Sequence, residues 1–141
     1  MKAMNKRIDT SPFSCQRDGL TIRGYVFGEP TSGKHAVIIS HGFLANQKTV
    51  RSYAIALAEE GYLAITFDFN GGGIGGKSDG RSVDMTVQTE KADLLAVIKT
   101  VQTQYQPASI SLMGCSQGGF VSALTAKELD SGINSLVLFY P

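Results

Sequence analysis

The chain has 141 residues, 43% hydrophobic and 18% charged, with a formal net charge of +1. That length suits one domain with a core of its own. So even a charge balance argues against a nucleic-acid footprint or a polybasic membrane anchor, and makes small molecules the expected partners. The opening Met1-Lys2-Ala3-Met4-Asn5-Lys6-Arg7 is basic, but no apolar run of signal-peptide length follows it and no stretch reaches transmembrane length, so a cytoplasmic protein is expected. Cys15 and Cys115 lie far from each other, and His35 and His41 lie far from both. With no zinc-ligand spacing, two reduced thiols are expected and no metal.

In chain order, residues 12–17, the turn dipeptide Asp18-Gly19 and the alternating run Leu20 to Phe27 predict a hairpin. Ala36-Val37-Ile38-Ile39 is short, apolar and β-branched, the pattern of a strand buried on both faces, and it leads into Ser40-His41-Gly42-Phe43. Val50, Tyr53, Ala54, Leu57 and Ala58 keep helical spacing over residues 47–60, and Gly61 supplies a stop. A strand over 62–69, a Gly-rich loop, and a helix through Val87, Leu94, Leu95, Ile98 and Val101 follow, with Pro107 beyond the helix end. Residues 108–113 read as a strand, 117–129 as a helix and 136–140 as a last strand. This alternation predicts an α/β fold with a mostly parallel sheet, helices on its faces and an antiparallel N-terminal hairpin.

Between the strand Ile110-Ser111-Leu112-Met113 and the helix that begins at Gln117 sits Gly114-Cys115-Ser116-Gln117-Gly118, a Gly-x-Ser-x-Gly match in strand–turn–helix context. This is the pattern of a nucleophile elbow, in which a strained turn projects the serine hydroxyl above the sheet while Gly114 and Gly118 let strand and helix approach. Ser116 is therefore the candidate nucleophile. The backbone amide of Gln117, at a helix start, and that of Phe43, in the loop after the central strand, are candidate donors to a developing oxyanion. His41 and Gly42 read as support for that loop, and His35, at the opposite end of its strand, is given no role.

Gly71-x-Gly73-x-x-Gly76 also spells a dinucleotide pattern, but five glycines in a six-residue stretch match it almost automatically. A working fingerprint opens a helix at once and has an acid at the end of the next strand. Here residues 77–81 intervene and the next strand ends in Met113-Gly114, so no nucleotide cofactor is expected.

Ser40-His41-Gly42-Phe43, Phe67-Asp68-Phe69-Asn70-Gly71 with Ser78-Asp79-Gly80, Asp84-Met85-Thr86, and Gly114-Cys115-Ser116-Gln117-Gly118-Gly119 together resemble the bacterial cinnamoyl and feruloyl esterase branch of the α/β-hydrolases. The likeness covers nearly the whole chain, although the loop Gly71 to Lys77 is longer and richer in glycine than that family's usual form. The resemblance implies that residues 1–141 are the N-terminal part of a single α/β-hydrolase domain, incomplete at the C-terminus. It further implies hydrolysis of a small carboxylic ester through an acyl-enzyme on Ser116.

In this fold the triad runs in chain order serine, acid, histidine. No histidine follows Ser116, and the only later acids, Glu128 and Asp130, fall at the far end of the helix that leads away from it. Without an imidazole to accept its proton, Ser116 keeps the weak nucleophilicity of an alcohol. The triad acid and histidine are accordingly expected beyond residue 141, where the resemblance also implies further strands and a lid. The residues leave open thioester or peptide hydrolysis on the same elbow, and a non-catalytic binding module that keeps the fold without the triad.

Overall fold

The computed structural model describes residues 7–140. Most of the basic opening stretch, and Pro141, lie outside them. Strands β1 (Thr10–Arg17) and β2 (Leu20–Phe27) pair antiparallel through a two-residue turn in which Asp18 and Gly19 both have positive φ, 50° and 80°. Two left-handed residues give the turn the twist that a hairpin needs.

The remaining strands are β3 (His35–Ser40), β4 (Leu63–Phe67), β5 (Ser109–Cys115) and β6 (Leu136–Phe139). The sheet runs β1-β2-β4-β3-β5-β6. β2 meets β4 antiparallel, whereas β3 lies between β4 and β5 and is parallel to both, and β5 is parallel to β6.

Helices α1 (Arg51–Glu59), α2 (Val87–Tyr105) and α3 (Gln117–Leu129) make the crossovers. Alternate residues of β3 point to opposite faces and into two cores. Ala36 and Ile38 join Leu94, Val97, Ile98 and Val101 of α2 and Val121 of α3. Val37 and Ile39 join Val50 and Ala54 at α1. The sheet is thus covered on both faces, which explains why β3 and β4 carry apolar residues on both of their faces.

β3 connects through α1 to β4 on one side, whereas its other neighbour, β5, connects through α3 to β6, so the connections leave the C-terminal ends of β3 and β5 in opposite directions. A crevice at such a switch point is where α/β sheets bind ligands. The loops after β3, β4 and β5 all gather at this edge.

Three local features differ from the sequence expectation. The segment expected as one helix over 47–60 begins with a single 3-10 turn, Gln47–Val50, before α1. Its first residue is turned inward: Gln47 donates from its backbone N and its Nε2 to Asp68, and its Oε1 accepts from Thr66. β4 is shorter than residues 62–69, since Tyr62 is exposed and residues 68–70, though buried, leave the strand for a loop. β6 stops at Phe139, one residue short of the expected strand, and is an edge strand among the described residues, with Leu136 38% and Val137 40% exposed.

Candidate active site

The turn from β5 into α3 is a single residue. Ser116 has φ 53° and ψ −121°, a backbone region that a residue with a side chain rarely occupies and that costs roughly 1–3 kcal/mol. The surrounding bonds hold it there. Ser116 N donates to Phe139 O of β6 (2.7 Å), and Ser116 O accepts from the N–H groups of Gly119 (3.0 Å) and Phe120 (3.1 Å). The backbone is thus fixed from both sides while the side chain faces solvent.

Gly114 and Gly118 make the sharp turn possible. A Cβ on Gly114 would fall 2.5 Å from the carbonyl carbon of Gly118, and one on Gly118 would fall 2.5 Å from the carbonyl oxygen of Ser40 and closer still to that of His41. The start of α3 is therefore pressed against the ends of both β5 and β3, and any larger residue would hold the helix away.

The loop after β3 lies beside this turn. A Cβ on Gly42 would be 3.5 Å from the Cβ of Ser116 and 3.6 Å from the carbonyl oxygen of Cys115, so Gly42 faces the serine directly. His41 is fully buried, with its ring edge-on to Phe69 at 5.0 Å. Its Nε2 accepts from Phe69 N (3.1 Å), which leaves the proton on Nδ1 to be donated to Gly42 O (2.7 Å). Both ring nitrogens are committed to backbone, and burial lowers the His41 pKa from the ordinary 6.5. His41 therefore ties the loop after β3 to the loop after β4. His35 lies at the far end of β3 against Ser109.

Phe43 and Leu44 follow, 56% and 54% exposed, and Leu44 is left-handed at φ 57°. Among the described residues, neither the Phe43 nor the Gln117 backbone N–H has a protein acceptor.

The Gly-rich loop after β4 folds back over the loop after β3. Gly73 N donates to Ala45 O (3.1 Å) and Asn46 Nδ2 to Ile74 O (2.9 Å). Its return arm is fastened to β2, through Asp79 N to Thr21 O (2.9 Å) and an ion pair of Asp79 with Arg23 (2.7 Å). No helix opens at these glycines; a single 3-10 turn follows at Ser82–Asp84, and the next α-helix begins at Val87.

Three buried acids near this edge were not singled out by sequence reasoning. Asp68 accepts from Gln47 N (2.7 Å), Gln47 Nε2 (3.1 Å) and Lys77 N (2.9 Å). Asp93 accepts from Arg17 Nε (2.6 Å), Asn70 N (2.9 Å) and Asn70 Nδ2 (3.0 Å). Glu90 accepts from Gln117 Nε2. The signal was available for two of them: Glu90 and Asp93 share the i, i+3, i+4, i+7 face of α2 with Leu94 and Val97, so charge stands in an apolar stripe.

Cys115, beside the serine, is a free thiol whose pKa burial pushes up, so it stays protonated near neutral pH. Glu128 pairs with Lys91 (2.9 Å) and Asp130 is exposed at the end of α3, both away from Ser116. Among the described residues no three His, Cys, Asp or Glu side chains cluster to hold a metal ion, and no helix is long and apolar enough to cross a membrane.

Solved structures with the same architecture are plentiful. An esterase from Pyrococcus furiosus, Pf2001, is 26% identical, with a TM-score of 0.77 over 89% of this chain and 49% of its own. Est1E from Butyrivibrio proteoclasticus, solved with ferulic acid bound, is 25% identical with a TM-score of 0.77 over 86% of this chain and 49% of its own. DcsB, solved with a substrate analogue, superposes with a TM-score of 0.80 over 92% of this chain and 45% of its own; at 24% identity it shows the fold alone. The chain spans about half the length of these structures. No curated protein matches it. The family model described as serine aminopeptidase, S33, matches residues 31–141, well over half of the sequence. With that match and a sheet shared with esterases, the chain belongs to this family of α/β-hydrolases.

Proposed function

We propose that this chain carries the nucleophile and the oxyanion-binding loops of a serine hydrolase acting on carboxylic esters. The observation that carries the reading is Ser116 itself: a non-glycine residue at φ 53°, exposed between a buried strand and a helix start, with its backbone fixed on both sides. Strain of this kind is concentrated at functional sites.

In the proposed reaction the Ser116 hydroxyl attacks the ester carbonyl carbon while a general base takes its proton. The carbonyl π electrons move to oxygen, where the N–H groups of Phe43 and Gln117 stabilise the negative charge. Collapse expels the alcohol, which receives the proton, and leaves an acyl-enzyme; water then repeats the sequence and releases the acid. His41 and Gly42 hold the Phe43 loop, and Gly114 and Gly118 hold the start of α3. The base and its acid partner come from residues outside residues 1–141, in the rest of a domain of which this chain is the N-terminal part.

Esters of hydroxycinnamic acids are the substrates proposed first. The sequence motifs resemble that esterase branch, and Est1E, of similar fold, binds ferulic acid. A second reading, peptide hydrolysis on the same serine, is favoured by the aminopeptidase description of the family.

The test is turnover by the full-length enzyme of methyl ferulate, of p-nitrophenyl acetate and of an aminoacyl p-nitroanilide. Ester hydrolysis that disappears in Ser116→Ala is expected. Retention of more than a few per cent of the rate, with contaminating esterases removed, would place the nucleophile elsewhere, and preference for the anilide would favour the peptidase.

A further inference from the structure

We infer that Glu90 is a positioning residue for the proposed reaction, fixing the first residue of α3 so that the Gln117 backbone N–H is aimed at the oxyanion. The inference rests on the reading of Ser116 as the nucleophile. Glu90 lies in the first turn of α2, just after the Thr86 cap, and is fully buried. Its Oε1 accepts from the side-chain Nε2 of Gln117, while its Oε2 has no partner among the described residues.

Asp93, one turn further along α2, shows what a buried carboxylate does when its task is to hold the fold. Both of its oxygens are used, on three donors from β1 and from the loop after β4. Glu90 differs. Its single bond reaches the residue next to Ser116, and an unpaired buried oxygen is left behind. For stability alone, two apolar side chains packed between α2 and α3 would serve as well as or better than a half-satisfied carboxyl.

What an apolar pair lacks is direction. Gly118 presses the start of α3 against the ends of β3 on one side, and the Glu90 bond ties Gln117 to α2. With two constraints on consecutive residues, the peptide that presents the Gln117 N–H has little freedom to turn. A preorganised donor is what oxyanion stabilisation requires, since a donor must be in place before charge develops.

The test uses the full-length enzyme and ester hydrolysis. E90L removes the acceptor while keeping an apolar side chain of similar size. Its kcat is expected to fall about 10- to 100-fold with KM changed less than about threefold, the pattern of a donor displaced by part of an ångström. E90Q, whose carbonyl accepts the same bond, is expected to stay within about threefold of the parent. Gln117→Met removes the bond from its other end, so E90L combined with it should be no slower than the slower single variant.

If E90L does not fold, Gln117→Met is expected to show the same fall in kcat, and E90Q still to stay within about threefold of the parent. Parental kcat in a folded E90L or Gln117→Met enzyme overturns the inference, as does an E90Q enzyme as slow as E90L or a loss that appears in KM alone. A parent whose hydrolysis survives Ser116→Ala overturns the reading of the serine as well. Ser116-dependent turnover that is indifferent to Glu90 overturns only this inference.

Discussion

Gly118→Ala sets two effects of opposite sign against each other. Gly118 is the second residue of α3, and helix propensity alone favours alanine there by about 1 kcal/mol. The added Cβ, however, would sit 2.5 Å from the carbonyl oxygen of Ser40, closer still to that of His41, and 2.8 Å from the Ser40 carbonyl carbon. An ordinary contact needs nearly 1 Å more. The obstacles are backbone atoms at the end of β3, which is paired on both sides, so the strand cannot move and α3 must. Overpacking of this kind costs about 1–3 kcal/mol, and the upper end applies where no side chain can rotate away. The clash therefore outweighs propensity, and a net loss of about 2 kcal/mol is expected, a fall in Tm of roughly 4–8 °C for a domain of this order of size.

Thermal unfolding of the full-length enzyme followed by circular dichroism measures this change. Gly42→Ala is the control: its Cβ would meet Ser116 and Cys115 at 3.5 and 3.6 Å, ordinary packing distances, so its Tm should stay close to the parent's. A Gly118→Ala enzyme with unchanged or raised Tm would refute the argument that close approach of α3 to β3 fixes the turn at Ser116.

Three further outcomes follow from the same structure. Gly42→Leu should fold but lose about 3–4 kcal/mol of transition-state stabilisation, read as a fall in kcat/KM for ester hydrolysis, because its side chain fills the space beside Ser116 and moves the Phe43 amide; an unchanged rate would remove this loop from the mechanism. Burial holds the folded-state pKa of His41 below 6.5, so as pH falls through 6.5 the unfolded chain takes up a proton that the folded protein refuses. Stability should drop by up to about 1.4 kcal/mol per pH unit in that window, and a denaturation series whose slope is the same in His41→Gln would count against it. Residues 1–141 expressed alone should associate through β6, whose outer edge has no partner strand among the described residues and whose Leu136 and Val137 are exposed; a monodisperse monomer in sedimentation would contradict this.

Much of the fold is legible from the sequence because its signals are local. β3 announces itself by four apolar residues in a row, and the hairpin by Asp18-Gly19, whose left-handed φ values few other dipeptides adopt. The strand–turn–helix around Ser116 is equally local, since Gly114 and Gly118 are tied to it by spacing. The polar interior is another matter. Arg17 and Asp93 meet across 76 residues, Asn70 and Asp93 across 23, and Gln117 and Glu90 across 27, and no periodicity encodes such a pairing. The 3-10 turn at Gln47–Val50 is hidden for the same reason: it lies at the polar start of the segment, before the apolar spacing that begins at Val50, and only the distant Asp68 reveals why Gln47 turns inward. What the pattern does offer is negative: a charge on an apolar face must have found a partner, though the sequence alone does not say which.

These pairings also constrain which groups can take part in chemistry. A triad needs an imidazole with one nitrogen free to face the serine and a carboxylate free to face the other. At the C-terminal edge of this sheet His41 has no free nitrogen, since Nε2 receives the Phe69 N–H and Nδ1 gives its proton to Gly42. Asp68 and Asp93 are saturated by donors that hold the loop after β4, and Glu90 is bonded to the side chain of Gln117. His41, Asp68 and Asp93 each take up backbone groups and in exchange fix a segment of irregular backbone, a role in which a satisfied buried group is stabilising and a released one is not, while Glu90 holds the start of α3 through the Gln117 side chain. Freeing any of them for proton transfer would loosen a loop that the proposed oxyanion site depends on. The division of labour within the described residues is therefore clear: the buried acids and His41 hold the backbone still, Ser116 stands exposed, and the proton acceptor that the proposed reaction requires has to arrive from outside this network.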